Sequence, residues 1–202
     1  ISEGFNLIAA NEIESNFFET YRKNHLEFDT GENLILGDIT LAETKNKIIE
    51  AAANRGRIGV VVGGPPCQGF SHAGWRNPND KRNQLFKEFV HVVNEIRPEI
   101  FVMENVPGIL TMRKGEAIKE IVSSFEEIGY NVNAPFKLNA ENFGIPQKRK
   151  RVFIVGSLKT TKIFSPDILF SSTDDNLPAP ITVKEAISGL PVLQTGSGAF
   201  ET

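Results

Sequence analysis

The sequence predicts an α/β protein built on a doubly wound, mostly parallel sheet with an antiparallel hairpin at one edge. Three observations carry that expectation. Short apolar, β-branched runs alternate with amphipathic stretches, as where Ile58-Gly59-Val60-Val61-Val62 is followed by the segment Gln84 to Ile96. Such alternation builds parallel strands covered by helices on both faces. Four strand candidates run straight into Glu12, Asp38, Cys67 and Glu104, and parallel strands gather such ends along one edge, where ligands bind. After Tyr130 the pattern alternates through Leu138, then becomes Arg151-Val152-Phe153-Ile154-Val155-Gly156, which suits antiparallel pairing at the sheet edge.

Taken in order, Phe5 to Ala10 is expected as a strand ending at Asn11 and Glu12, and Glu14 to Asn24 as a helix with Phe17, Phe18 and Tyr21 on its apolar face. Leu34-Ile35-Leu36 makes a second short strand before Gly37 and Asp38. Thr40 and Glu43 form a capping-box pattern for a helix running to about Asn54, with Gly56 at its exit. The strand over residues 58–62 then feeds the loop Gly63-Gly64-Pro65-Pro66-Cys67-Gln68-Gly69-Phe70-Ser71. The polar stretch His72 to Asn83 reads as a surface loop. A helix over Gln84 to Ile96 stops before Pro98, and Ile100 to Met103 forms a buried strand ahead of Glu104. Ala117 to Ile128 is helical and closed by Gly129. Ser165 to Pro180 has linker composition, Thr182 to Ser188 suits a short helix, and the tail after Thr195 is expected to fray. The expected organisation is a catalytic core over 1–158 and a linker with a short helix over 159–202.

Composition narrows the classes. A chain of 202 residues suits one α/β domain with a sizeable core, and 40% hydrophobic with 23% charged residues is ordinary for a globular protein. One cysteine excludes an internal disulfide framework, so a reducing, cytoplasmic setting is expected. No stretch is long and apolar enough to span a membrane, and no signal-peptide pattern opens the chain. A net charge of −3 gives no global attraction to nucleic acid, so any such surface is local. The chain opens on Ile1 rather than Met, which is read as a piece of a longer one.

The candidate chemistry centres on Cys67. Two prolines stiffen the backbone ahead of it and remove two amide donors, and a lone intracellular cysteine in a strand-end loop is a candidate nucleophile as well as a small apolar core residue. Glu104 supplies an acid able to protonate what a thiolate attacks. Glu12 is placed to take ribose hydroxyls and Asp38 an adenine amino group, although strand-end carboxylates also cap helices. In Gln147-Lys148-Arg149-Lys150-Arg151, residues 147, 149 and 151 share one face if the run is extended. The arginines would hold a phosphate or an oxygen that gains charge, and the lysines read as a solvated face. No metal site is indicated.

These residues carry a resemblance. The chain resembles the cytosine-C5 DNA methyltransferases: Gly63 to Ser71 matches their Pro-Cys loop, Glu104-Asn105-Val106 their Glu-Asn-Val motif, and Gln147, Arg149 and Arg151 their Gln-x-Arg-x-Arg motif. Asn11-Glu12 and Gly37-Asp38-Ile39 match the cofactor-contact motifs, and Asp80 to Phe86 the segment after the mobile catalytic loop. The resemblance implies a Rossmann-like class I methyltransferase core, S-adenosylmethionine as cofactor with S-adenosylhomocysteine as product, and duplex DNA with a flipped cytosine as substrate. It implies catalytic roles for Cys67, Glu104, Arg149 and Arg151, and cofactor contacts at Glu12, Ile13, Asp38, Ile39, Pro65 and Leu85. DNA contacts are implied at Gln68, Ser71, Trp75, Arg76 and Gln147, although Trp75 also fits an ordinary exposed loop aromatic.

The family's opening Phe-x-Gly-x-Gly strand–turn and its target-recognition domain have no counterpart in these residues, so the first strand of the sheet is expected to be missing. The chain alone is expected to be inactive without a complementing chain or domain. The implied setting is a bacterial restriction–modification system, acting on nucleoid DNA in the cytoplasm. The alternatives are a tRNA cytosine-C5 methyltransferase of the same family and a degenerate or split non-catalytic copy.

Overall fold

The computed structural model describes residues 4–26, 29–66, 85–159 and 163–192. It divides into two compact units, one comprising Ile1–Phe136 and Val152–Phe164, the other Lys137–Arg151 and Ser165–Thr202. Among the described residues no helix is long and apolar enough to cross a membrane.

The first unit holds β1 (Ala10–Glu12), α1 (Ser15–Asn24), β2 (Leu34–Leu36), α2 (Ala42–Ala53), β3 (Val60–Gly63), α3 (Leu85–Ile96), β4 (Ile100–Asn105), α4 (Glu116–Glu127) and β5 (Asn131–Val132). Strands β1 and β2 pair in parallel, with Asn11 opposite Ile35 and Glu12 opposite Leu36. Strand β3 runs parallel to β4, from Val60 opposite Ile100 to Gly63 opposite Met103. The later strands are β6 (Phe136–Asn139) and β7 (Lys150–Ser157). Strand β7 is antiparallel to both β4 and β5, and the larger sheet has the order β3-β4-β7-β5 with β6 also pairing β7.

The core lies where β4 and β7 meet α3 and α4. Phe101, Met103, Ile121, Phe125, Val152 and Ile154 are fully buried. Phe101 stacks on Phe125 with ring centroids 3.8 Å apart, and Tyr130 meets Phe101 edge-on at 5.3 Å. Gly156, opposite Phe101 in the ladder, makes room for this stack: a β-carbon there would stand 2.4 Å from the Phe101 ring. Because side chains alternate along a strand, burial of Phe101, Met103 and Asn105 leaves Val102 and Glu104 on the other, less buried face.

Several expectations needed correction. The first strand is Ala10–Glu12 rather than residues 5–10, because its ladder begins where the Ala10 amide reaches the Asn33 carbonyl and lasts only as long as three-residue β2. No Thr40–Glu43 capping box forms: α2 begins at Ala42, and both the amide and hydroxyl of Thr40 donate to Asp38 Oδ1 at 2.8 Å. Glu43 instead pairs with Lys47 one turn on. Strand β4 continues through Glu104 and Asn105, since β7 supplies partners at Phe153 and Val152. The antiparallel strand β7 is an inner strand rather than an edge one, consistent with its run of buried residues from Ile154 to Ser157. The helices expected over 84–96 and 117–128 lie at Leu85–Ile96 and Glu116–Glu127, and Gly129 closes the latter at φ 87°.

In the second unit the Ala140 amide donates to the Arg149 carbonyl, and a 3-10 turn over Ala140–Phe143 ends at Gly144 in the left-handed region. Asn142 ties this turn to the following segment. Its Nδ2 donates to the Phe170 carbonyl at 2.7 Å, and its own carbonyl accepts the Leu169 and Phe170 amides. Ser165 to Pro180, expected as a linker, carries no helix or strand. Thr182 and Glu185 form a capping box on α5 (Val183–Ile187).

Two measurements test the core. Phe125→Ala should cost about 3–5 kcal/mol in urea unfolding, through the lost ring and the cavity it leaves. The Tyr130 hydroxyl donates to the Pro98 carbonyl at 2.8 Å, and burial pushes it up to about 12, against the opposing influence of Arg97. A folded value above that of an unfolded tyrosine, near 10, stabilises the fold fully below about pH 10 and loses that contribution as pH climbs toward 12. Tyr130→Phe should flatten this alkaline decline in melting temperature.

Candidate active site

Strand β3 ends in a glycine because no side chain fits there: a β-carbon on Gly63 would stand 2.4 Å from the Phe89 ring on α3. The chain then passes Gly64, Pro65 and Pro66 toward Cys67. Beside it, β4 delivers Glu104, whose Oε2 lies 3.5 Å from where a β-carbon on Gly64 would stand. Asn105, only 4% exposed, fixes the junction. Its Nδ2 donates to the Pro65 carbonyl at 3.3 Å, and its Oδ1 accepts the Val106 amide at 2.9 Å. Pro107 then opens a 3-10 turn, where its missing amide costs nothing.

The parallel β1–β2 pair brings together the other two strand-end carboxylates. Glu12 Oε1 accepts the amides of Ile13 and Glu14 at 2.8 and 2.9 Å. Asp38 Oδ1 is taken by Thr40 in the same manner. Each carboxylate thus spends one oxygen on its own turn, and the second has no partner among the described residues. Two orientated acceptors at adjacent parallel strand ends fit ribose hydroxyls and an adenine amino group. Ile13, 57% exposed, offers apolar surface beside Glu12, and Ile39 follows Asp38 half-buried. Leu85 opens α3, half-buried. A cavity of about 600 Å³ borders α1 and takes in Asn11, Glu12, Phe18, Tyr21 and His25, but not Asp38.

The basic motif belongs to the second unit. Strand β7 begins only at Lys150, so Gln147 and Arg149 lie in the preceding segment, and the Gln147 amide donates to the Ile145 carbonyl. Lys148, Arg149 and Lys150 are exposed, whereas Arg151 is half-buried and donates from Nη1 to the Lys150 carbonyl at 2.9 Å. Cys67, Gln68, Ser71, Trp75 and Arg76, with the whole His72–Asn83 loop, lie outside the described residues. Among the described residues no cluster of three or more histidine, cysteine or acidic side chains is arranged for a metal.

The profile of the C-5 cytosine-specific DNA methylase family matches residues 1–195. The chain belongs to that family. It is 40% identical over 183 residues to the type II methyltransferase M.FnuDI of Fusobacterium nucleatum, a match covering 90% of this chain and 46% of that one. It is 38% identical over 200 residues to the type II methyltransferase M1.HphI of Haemophilus parahaemolyticus, covering 98% and 50%. The chain therefore spans about half the length of these relatives. Among solved structures, an E. coli prophage-encoded protein described as a DNA modification methyltransferase superposes with a TM-score of 0.70 at 32% identity, over 94% of this chain and 50% of the other. The S. pombe Dnmt2 methyltransferase shares the fold at a TM-score of 0.52 and 21% identity, over 94% and 49%. The architecture of this family member is accordingly the Rossmann-like α/β core.

The sequence names Asn11 and Asn105 within the matching motifs but does not show the bonds by which they bridge to Ile35, Gly37 and Pro65. Their adjacency to Glu12 and Glu104 was the available signal. Asn105→Ala removes both side-chain bonds at the Pro65–Val106 junction, and should lower stability by about 1–3 kcal/mol in urea titration.

Proposed function

We propose that this chain is part of the catalytic core of a DNA (cytosine-5)-methyltransferase that uses S-adenosylmethionine and acts through Cys67. The carrying observation is the β3–β4 end, where the Glu104 carboxyl stands beside Gly64 in the loop that leads to Cys67. Family membership and the type II methyltransferase relatives support the substrate class.

The roles follow from the chemistry. Cytosine C5 is a poor nucleophile until something adds at C6. The Cys67 thiolate forms a bond to C6, while Glu104 donates a proton or hydrogen bond at N3, so that charge does not build on the ring. Arg151 engages the base oxygen O2, with Arg149 supporting the loop or a phosphate. S-adenosylmethionine, when bound, supplies an electrophilic methyl group to the activated C5. Loss of the C5 proton then expels the thiolate and restores Cys67. A base inside a duplex cannot present C6 to a thiolate, so the cytosine leaves the stack. Gln68, Ser71, Trp75, Arg76 and Gln147 are assigned to DNA contact. Glu12 and Asp38 hold the nucleoside end of the cofactor through their unspent oxygens, with Ile13, Ile39, Pro65 and Leu85 around it. The core is assigned to 1–158, with 159–202 as a linker and short helix. The bacterial type II methyltransferase relatives support a restriction–modification role, for which we propose a cytoplasmic setting on nucleoid DNA.

The test is covalent trapping. Intact protein is incubated with S-adenosylmethionine and duplex oligonucleotides carrying 5-fluorocytosine, whose fluorine blocks the last proton loss. The expected product is a methylated-base adduct on the peptide containing Cys67, found by mass spectrometry and absent in Cys67→Ser. Cofactor binding with no adduct across a broad mixture of sites would sink the DNA assignment.

A further inference from the structure

We propose that Asn11 is a positioning residue for the cofactor, setting where Asp38 sits relative to Glu12. The inference rests on the cofactor reading of those two carboxylates. Its basis is one side chain bridging two strand ends. Asn11 Nδ2 donates to the carbonyls of Ile35 and Gly37, at 3.0 and 2.9 Å. Both hydrogens of a single amide nitrogen are thereby used on carbonyls that flank Leu36.

The position of those carbonyls gives the bridge its consequence. Gly37 directly precedes Asp38, and glycine is the residue with the widest backbone freedom. A β-carbon here would stand 2.6 Å from Thr44 Oγ1, so a larger residue would force buried Thr44 to shift. Strands β1 and β2 are three residues each, so few ladder bonds restrain their ends. Gly37 is instead pinned at both of its polar groups. Its amide donates to the Glu12 carbonyl at 2.9 Å, and its carbonyl accepts from Asn11. The peptide that aims Asp38 is anchored to the two residues carrying the other half of the site. Serine has one donor and aspartate none, so neither replaces the bridge.

The test uses the intact protein and S-adenosylhomocysteine titrated calorimetrically, with melting temperatures recorded alongside. Asn11→Ala should weaken binding by about tenfold, with kcat at saturating cofactor changed far less. Asn11→Ser, with one donor left, should fall between and carries the measurement if the alanine variant does not fold. Combining Asn11→Ala with Asp38→Asn should weaken binding by less than the product of the two single effects, because both act through one carboxylate. Fully multiplicative effects, or a lower melting temperature with unchanged affinity, would make Asn11 merely structural and overturn the proposal. Unchanged affinity in Asn11→Ala, with losses in Glu12→Gln and Asp38→Asn, would refute it while leaving the cofactor site in place. No loss in any of the three would remove the cofactor reading itself.

Discussion

The structure depends on the double pairing of β4. One side runs parallel to β3 and the other antiparallel to β7, with registers that overlap at residues 100–103. This fixes which face of the strand each side chain takes. Phe101 and Met103 enter the core, and the alternation then obliges Glu104 to leave it. A slip of one residue would bury the carboxyl and expose the aromatic stack. The stack of Phe101 on Phe125, with Tyr130 against its edge, is therefore also what orients the acid. Core packing and the placing of Glu104 share one register.

The two strand-end clusters reach a similar solution by similar means. In each, an asparagine adjoining the carboxylate spends its amide on backbone of the neighbouring strand or loop. Asn105 reaches Pro65 across β4 and β3, and Asn11 reaches Ile35 and Gly37 across β1 and β2. Short parallel strands carry few ladder bonds at their carboxyl ends, so side chains complete the restraint. The carboxylates are also partly self-restrained, since Glu12 and Asp38 each accept donors from the turn that follows. A polar site assembled this way loses less freedom when a ligand arrives.

Much of this was legible in the residues. The runs at 34–36, 58–62 and 100–103 marked strands because β-branched and aromatic side chains cluster there between turn signals, although the second of these strands lies at Val60–Gly63. The helices over 85–96 and 116–127 showed through their apolar spacing. What failed was local and competitive. Phe5 to Ala9 has strand composition, yet the β1 ladder opens only at Ala10, and pairing decides what propensity only suggests. Thr40 has the chemistry of a cap, yet Asp38 two residues earlier takes both its amide and its hydroxyl on one oxygen. The inner place of β7 could not be seen, since alternation says that a strand has two faces and not which neighbours flank it. For the site, the carboxylates were visible as strand-end residues. The asparagine bridges were not, because their partners lie 24 to 40 residues away in sequence.

The pairing of Gly156 with Phe101 bears on how such a core drifts. The ring occupies the space that any larger residue at 156 would need, and Gly63 stands in the same relation to Phe89. A change from glycine at either site, made first, forces the facing ring to move, and Phe101 is fully buried. A change from phenylalanine made first opens a void under the sheet. Neither order of steps is neutral, so each pair can move only together, and divergence in this family should be channelled away from these four positions toward loops and surfaces.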